Sequence, residues 1–160
     1  MTNCKYCKIE NNLIYEDNIM LAFLKEKPCT SGHIIIVPKE HFTIMEQVPN
    51  EIIGKMFDFS NILSGILFEV MQIQGTNIII NNGFEQDVPH FSINILPRTE
   101  KDDLNFNFKP LKFKDDQIDV IMHNIKKGLK GKEKAIEEKK PKLIDNKKSS
   151  WIEKTFIRIP

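Results

Sequence analysis

The sequence predicts an α+β domain, on three observations. Short apolar runs with strand character flank a long amphipathic stretch, apolar residues recur with helical period from Ile52 to Val70, and polar and apolar residues alternate strictly from His90 to Ile95. In chain order, the apolar runs 13–24 and 33–38 read as strands, and Pro28 to Gly32 is a connector made of turn residues. Ile52, Ile53, Met56, Phe57, Phe59, Ser60, Leu63, Ile66, Leu67 and Val70 recur at spacings of three and four. That pattern predicts an amphipathic helix of about five turns, starting after Pro49-Asn50, with Asn50 as its cap. Its apolar stripe reads as core and dimer contact. Strands 77–82 and 88–96 follow, joined by a short loop beginning at Gly83. In the second of these, His90, Ser92 and Asn94 alternate with Phe91, Ile93 and Ile95. Neighbours on one face of a strand stand about 7 Å apart, so the three polar groups are expected on one face, close enough for a phosphate to span two of them. Ile118, Ile121, Met122, Ile125 and Leu129 predict a second amphipathic helix, with His123 an exposed side chain on it.

Composition narrows the functional classes. A chain of 160 residues with 41% hydrophobic residues suits one core and no membrane span. No apolar run reaches the roughly 18 residues that cross a bilayer. Met1-Thr2-Asn3-Cys4-Lys5 lacks the apolar stretch of a secretion signal, so a cytoplasmic protein is expected. Three cysteines, two of them in a Cys4-x-x-Cys7 spacing, suit reduced thiols or a metal better than a disulfide framework. The net charge of +1 argues against nucleic-acid binding by the whole surface. Between Lys126 and Lys148, however, ten lysines face four acids. That stretch reads as a solvated connector, or as an arm for an acidic protein or RNA partner, although it lacks the interleaved aromatic residues that single-strand binders use for stacking.

Several segments share one further feature. Cys4-Lys5-Tyr6-Cys7, Ala22-Phe23-Leu24, Gly32-His33-Ile34-Ile35-Ile36-Val37-Pro38-Lys39-Glu40-His41, Asn81-Asn82-Gly83, Gln86-Asp87-Val88 and His90-Phe91-Ser92-Ile93-Asn94-Ile95-Leu96-Pro97-Arg98 occur in this order. Together they resemble the histidine triad (HIT) superfamily over about residues 4 to 108. The resemblance implies a HIT-like fold, an antiparallel sheet packed with the long helix, and a homodimer. Domain boundaries then read as a HIT-like domain over 1–110, a C-terminal helix over 111–130, a basic connector over 131–148 and an apolar docking tail over 149–160 containing Trp151, Phe156 and Ile159.

The triad itself is degenerate. In enzymes of this superfamily the middle histidine attacks the α-phosphate, forms a nucleotidyl-histidine and is released by water. Ser92 stands at that position and Asn94 at the third, so only His90 of the three remains. A serine hydroxyl needs an adjacent base, and His90 is the candidate on its own strand. In zinc-bearing members two N-terminal cysteines join the histidine of the Pro-Lys-x-His element and the first triad histidine, which here are Cys4, Cys7, His41 and His90. Two thiolates and two imidazoles form a tetrahedral zinc set; the alternative is two ordinary buried thiols. Cys29 fits no such set and reads as a plain thiol, and His33 as a packing and hydrogen-bonding residue. Phosphate-binding candidates are Asn81, Gln86, Asp87, Val88 and Ser92. Where the family places an aspartate for the ribose hydroxyls this chain has Lys25, which only donates, so the ribose contact is abandoned or Glu26 supplies it. The resulting expectation is a nucleotide- or phosphate-binding pseudoenzyme with a structural zinc. The alternatives are a hydrolase or phosphoramidase using another nucleophile, and a non-enzymatic interaction module with a vestigial pocket.

Overall fold

Asp17 divides the apolar run 13–24. In the computed structural model of the protein, which describes residues 4–106 and 108–132, Asp17 Oδ1 accepts the backbone N–H groups of Ile19 and Met20 at 2.6 and 2.8 Å. This side-chain turn reverses the chain, so the run forms two strands, β1 (Leu13–Glu16) and β2 (Met20–Leu24). With β3 (Ile34–Pro38), β4 (Gly75–Ile79) and β5 (Ile93–Arg98) they make a five-stranded sheet in the order β1-β2-β3-β5-β4. Every neighbouring pair is antiparallel.

Alternation along these strands sorts side chains onto two faces. Met20 and Ala22 of β2, Ile34 and Ile36 of β3, and Ile93 and Ile95 of β5 join Phe91 in the core beneath the long helix. Leu21, Phe23, Ile35 and Val37 form a second cluster on the other face, covered by Tyr6 and Ile9 of the N-terminal segment. The central strands are therefore apolar on both faces, which is why they read as unbroken hydrophobic runs.

The helix, α1 (Asn50–Met71), is 22 residues long, about six turns rather than five. Asn50 is its first residue and does not cap it. Pro49, at φ −56° and ψ 140°, takes the cap position, and no side chain caps there. Its carbonyl instead accepts the N–H groups of Ile52 and Ile53, both at 3.0 Å. Met56, Ser60, Leu63 and Leu67 are the buried stripe. Ser60 is tolerated there because its hydroxyl donates to the Met56 carbonyl at 2.7 Å. Phe57, Ile62, Ile66 and Val70 remain exposed.

Two connections shape the site. The turn before β3 ends at Gly32, which has φ +79°, and a Cβ there would stand 2.7 Å from Met71 Sδ. Only glycine meets both demands without strain. The connection from β4 to β5 spans residues 80–92, longer than the short loop expected. It is fixed by side chains. Asn82 accepts from the Met45 N–H at 2.8 Å and donates to both Glu46 carboxylate oxygens at 2.9 Å. Gln86 accepts from the Gly83 N–H at 3.0 Å and donates to the Thr43 carbonyl at 2.9 Å. As a result β5 begins at Ile93, and His90 and Ser92 precede the strand that was expected to contain them. The Phe91 N–H, which a sheet neighbour would otherwise take, donates to the Phe42 carbonyl at 2.6 Å.

Beyond residue 107 the chain forms a second unit, starting at Phe108. Its helix α2 (Asp115–Leu129) carries Asp115 and Asp116 in the first turn and Lys126 and Lys127 in the last, both favourable to the helix dipole. Ile118, Ile121, Met122, Ile125 and Leu129 are exposed, as is His123. Most of the basic stretch expected over 131–148, and all of the apolar tail over 149–160, lies outside the described residues.

The end of β5 is held by Arg98. Its Nε donates to Asp102 at 2.6 Å, its other nitrogens reach Asn77 and the Leu104 carbonyl, and its guanidinium lies 5.3 Å from the Phe106 ring centre. Asp102 also accepts the Thr99 and Leu104 N–H groups at 3.0 and 2.9 Å. The Arg98 hydrogen bond, followed by these backbone donors, holds the Asp102 carboxyl far below the usual carboxylate range. A depressed carboxylate stabilises the fold above its unfolded pKa of about 3.9, and that stabilisation is lost as pH falls. Asp102→Asn should therefore unfold at a lower temperature than the parent at pH 7, and thermal melts should show the gap closing as pH drops below about 4.

Candidate functional site

Two polar groups of sites share the sheet face that α1 does not cover. The first forms where the N-terminal segment crosses His90. Cys4 is buried, Cys7 lies in a single 3-10 turn (Tyr6–Lys8), and His41 follows β3. Cys4 Sγ lies 3.3 Å from His90 Nδ1, and Cys7 Sγ lies 3.4 Å from His41 Nδ1 and 3.5 Å from His90 Nδ1. The ligand atoms of all four residues fall within 4.8 Å of one another. Around a tetrahedral zinc with ordinary bond lengths, such atoms stand about 3.4–3.8 Å apart. The geometry fits. His90 is fully buried, and its Nε2 lies 3.0 Å from the Pro38 carbonyl. That nitrogen must then carry the proton and donate, which leaves the Nδ1 lone pair directed at the thiols, the arrangement that orients metal-binding histidines. Burial also holds the His90 imidazole below its ordinary range, favouring the neutral form a ligand needs. Cys4, Cys7, His41 and His90 could hold a metal ion.

The second is a small cleft lined by Tyr6, Asn81, Gln86, Asp87, Val88, Ser92 and Asn94. All five residues expected to contact phosphate line it, together with both degenerate triad positions. The three polar residues of the alternating run thus part company. Ser92 and Asn94 face the cleft, while His90 turns into the cysteine cluster. Some of the expected donors have other duties here. The Asn81 amide donates to the Glu85 carbonyl at 3.1 Å, and both ends of the Gln86 amide anchor the loop. Lys25, which stands where the family places its ribose aspartate, is ion-paired with Asp87 through its ammonium, so it neutralises a carboxylate at the cleft.

Beside the cleft lies an open groove of about 920 Å³. Ile9, Phe23, Leu24 and Ile35 give it an apolar floor, and Lys5, Lys25, Glu26 and Asp87 line it too. Tyr6 borders both spaces, a role the sequence did not disclose; its ring lies 5.4 Å from that of Phe23. Burial, then the charges of Asp87 and Cys4, push the Tyr6 hydroxyl up to about 12.

Among the described residues no side chain hydrogen-bonds to the Ser92 hydroxyl, and the imidazoles of His90 and His33 have other partners. His90 uses both nitrogens as above. His33 Nε2 lies 3.1 Å from Asn94 Oδ1, and its Nδ1 lies 3.1 Å from the sulfur of Cys29. Cys29, read from the sequence as a plain thiol, is therefore in contact with an imidazole.

This fold and site define a class, and comparison with known proteins agrees. The HIT domain family model matches residues 7–101. The chain belongs to the HIT family. It is similar to adenylylsulfatase HINT3 of Arabidopsis thaliana, 30% identical over 62% of this chain but only 54% of that protein. A crystal structure of a HIT family member from Bacillus subtilis superposes with a TM-score of 0.72 at 28% identity, covering 79% of this chain and 96% of that one. A zinc-bound histidine triad family protein from Mycobacterium smegmatis gives a TM-score of 0.60 at 25% identity, over 79% and 97% of the two chains. Among the described residues, no helix is long and apolar enough to cross a membrane.

Proposed function

We propose that this protein binds a nucleotide or related phosphate, holds a structural zinc at Cys4, Cys7, His41 and His90, and no longer performs the nucleotidyl transfer of the triad enzymes. The observation that carries the reading is that no imidazole nitrogen among the described residues hydrogen-bonds to Ser92, although the residues of the cleft around it are brought together. Transfer through a covalent intermediate needs a nucleophile that is unprotonated near neutral pH. A hydroxyl without a base does not meet that need.

Binding does not need the nucleophile. The groove is within the size range of small-molecule sites, and its apolar floor suits a purine face while the cleft takes the anionic end. The kinship with an adenylylsulfatase supports a nucleotide ligand. With Lys25 in place of the family's ribose aspartate, the ribose hydroxyls lose an acceptor, so recognition rests on base and phosphate. The Lys25 ammonium keeps Asp87 from repelling that phosphate. A homodimer belongs to the same reading, supported by the exposed Phe57, Ile62, Ile66 and Val70 on α1. Should the pocket bind nothing, the exposed apolar face would favour an interaction module instead.

Calorimetry decides between these. AMP should bind, and Lys25→Ala should weaken AMP about fivefold or more while changing adenosine less than about twofold, since only the phosphate meets the exposed Asp87 charge. No heat and no thermal shift with AMP, ADP or GMP at about 1 mM contradicts the proposal. The zinc is tested separately. Protein purified without chelator should carry about one equivalent per chain, and stripping it should lower the melting temperature by about 10 °C or more, because a ligand of the folded state alone stabilises that state. Metal well below one equivalent, or no change on stripping, removes the zinc from the account.

A further inference from the structure

The geometry points to Cys29 as a reactive thiol that exchanges with low-molecular-weight disulfides, with His33 as the base that takes its proton and Asn94 as the group that positions His33. Neither the HIT comparison nor the zinc cluster assigns this trio a role.

The hydrogen bonds fix which nitrogen of His33 is free to act. The Asn94 amide nitrogen donates to the Ile79 carbonyl at 3.4 Å, which turns Asn94 Oδ1 toward His33. Oδ1 only accepts, so the His33 Nε2 that lies 3.1 Å from it carries the proton. Nδ1 is then an acceptor. The Cys29 backbone N–H points at it from 3.5 Å and the Cys29 sulfur from 3.1 Å. A thiol held against the lone pair of an imidazole, whose far nitrogen is tied to an amide oxygen, is the order of groups in cysteine hydrolases.

The backbone holds the pair in place. The His33 N–H donates to the Thr30 carbonyl at 3.2 Å, and Gly32 at φ +79° closes the turn against Met71. Cys29 and His33 thus meet across a tight turn rather than by chance rotation of two long side chains. Access completes the argument. His33 is buried, whereas Cys29 is exposed. Cys4 is buried, and Cys7, although exposed, lies against the two imidazoles of the proposed metal set, His41 and His90. Desolvation also keeps His33 below its ordinary range, so the imidazole remains neutral and able to accept at pH 7.

The exchange balances. As the Cys29 sulfur bonds to one sulfur of the incoming disulfide, its proton passes to His33 Nδ1 and the disulfide's own S–S bond breaks. The departing thiolate takes the proton back from His33 and leaves as a thiol. Cys29 is oxidised to a mixed disulfide, and the small disulfide it attacks is the oxidant.

The test uses the full chain and oxidised glutathione, with modification mapped by peptide mass spectrometry over time. Cys29 should form the mixed disulfide ahead of Cys4 and Cys7, and at least about tenfold faster than Cys29 in His33→Gln, a floor below the roughly hundredfold or more that a general base commonly contributes. If His33→Gln does not fold, the pH profile of the parent decides. With His33 as base, the Cys29 rate should change by less than about threefold between about pH 6.5 and 8, whereas a peptide spanning residues 26–32 should gain about tenfold per pH unit. A parent profile as steep as the peptide's, equal rates in parent and folded His33→Gln, or Cys7 reacting first overturns the assignment.

Discussion

Everything at the site depends on the two-faced burial of β2 and β3. α1 seals one face of these strands and of β5 through Ile34, Ile36, Ile93 and Ile95, and the N-terminal segment covers the other face of β2 and β3 through Leu21, Phe23, Ile35 and Val37. A shift of one residue in register would exchange the faces and place Asn94 in the core. With the register held, the second face is the only place where the N-terminal cysteines can meet His41 and His90. The buried His90, donating to the Pro38 carbonyl and presenting its other nitrogen to the thiols, pins that segment to the sheet. A metal in the cluster would strengthen the same link, since its binding energy is available only to the folded chain.

That arrangement also explains how a triad can lose its reactive members without losing the fold. His90 is part of the structure: buried, doubly bonded and next to the cluster. Ser92 lines the small cleft and makes no side-chain hydrogen bond among the described residues, so a change there leaves no orphaned core group, whereas Asn94 still supplies an acceptor for the buried His33. Removing a buried, hydrogen-bonded side chain costs several kcal/mol of order ~3, whereas a change at a cleft lining is commonly within about 0.5 kcal/mol. Lys25 follows the same logic. It and Asp87 are a local pair at the rim, and their charges cancel where the family's aspartate would have stood.

Much of this was legible in the chain. The α1 repeat, the strand at 34–38 and the alternation through Ile95 follow from apolar spacing alone, because burial enforces that spacing. The division of residues 13–24 was hidden because Asp17 acts through a side-chain turn, which an apolar count does not register. Asn50 looked like a cap because its chemistry suits one, but the backbone of Pro49 already occupies that position. The cysteine and histidine cluster could be anticipated only from family spacing; composition alone left two thiols and two imidazoles unassigned. The contacts of Cys29 with His33, and of Lys25 with Asp87, depend on turn geometry and on strands far apart in sequence. No local pattern carries them.

On the proposed reading, the small cleft around Ser92 has outlived the nucleophile of the triad enzymes. The most direct test of that reading is incubation of the purified protein with adenosine 5′-phosphoramidate, following AMP release together with the intact mass of the protein. AMP release no faster than in buffer is expected, with no nucleotidyl adduct at any time. Turnover at about 1 s⁻¹ or faster, with an adduct mapped to the cleft, would contradict it.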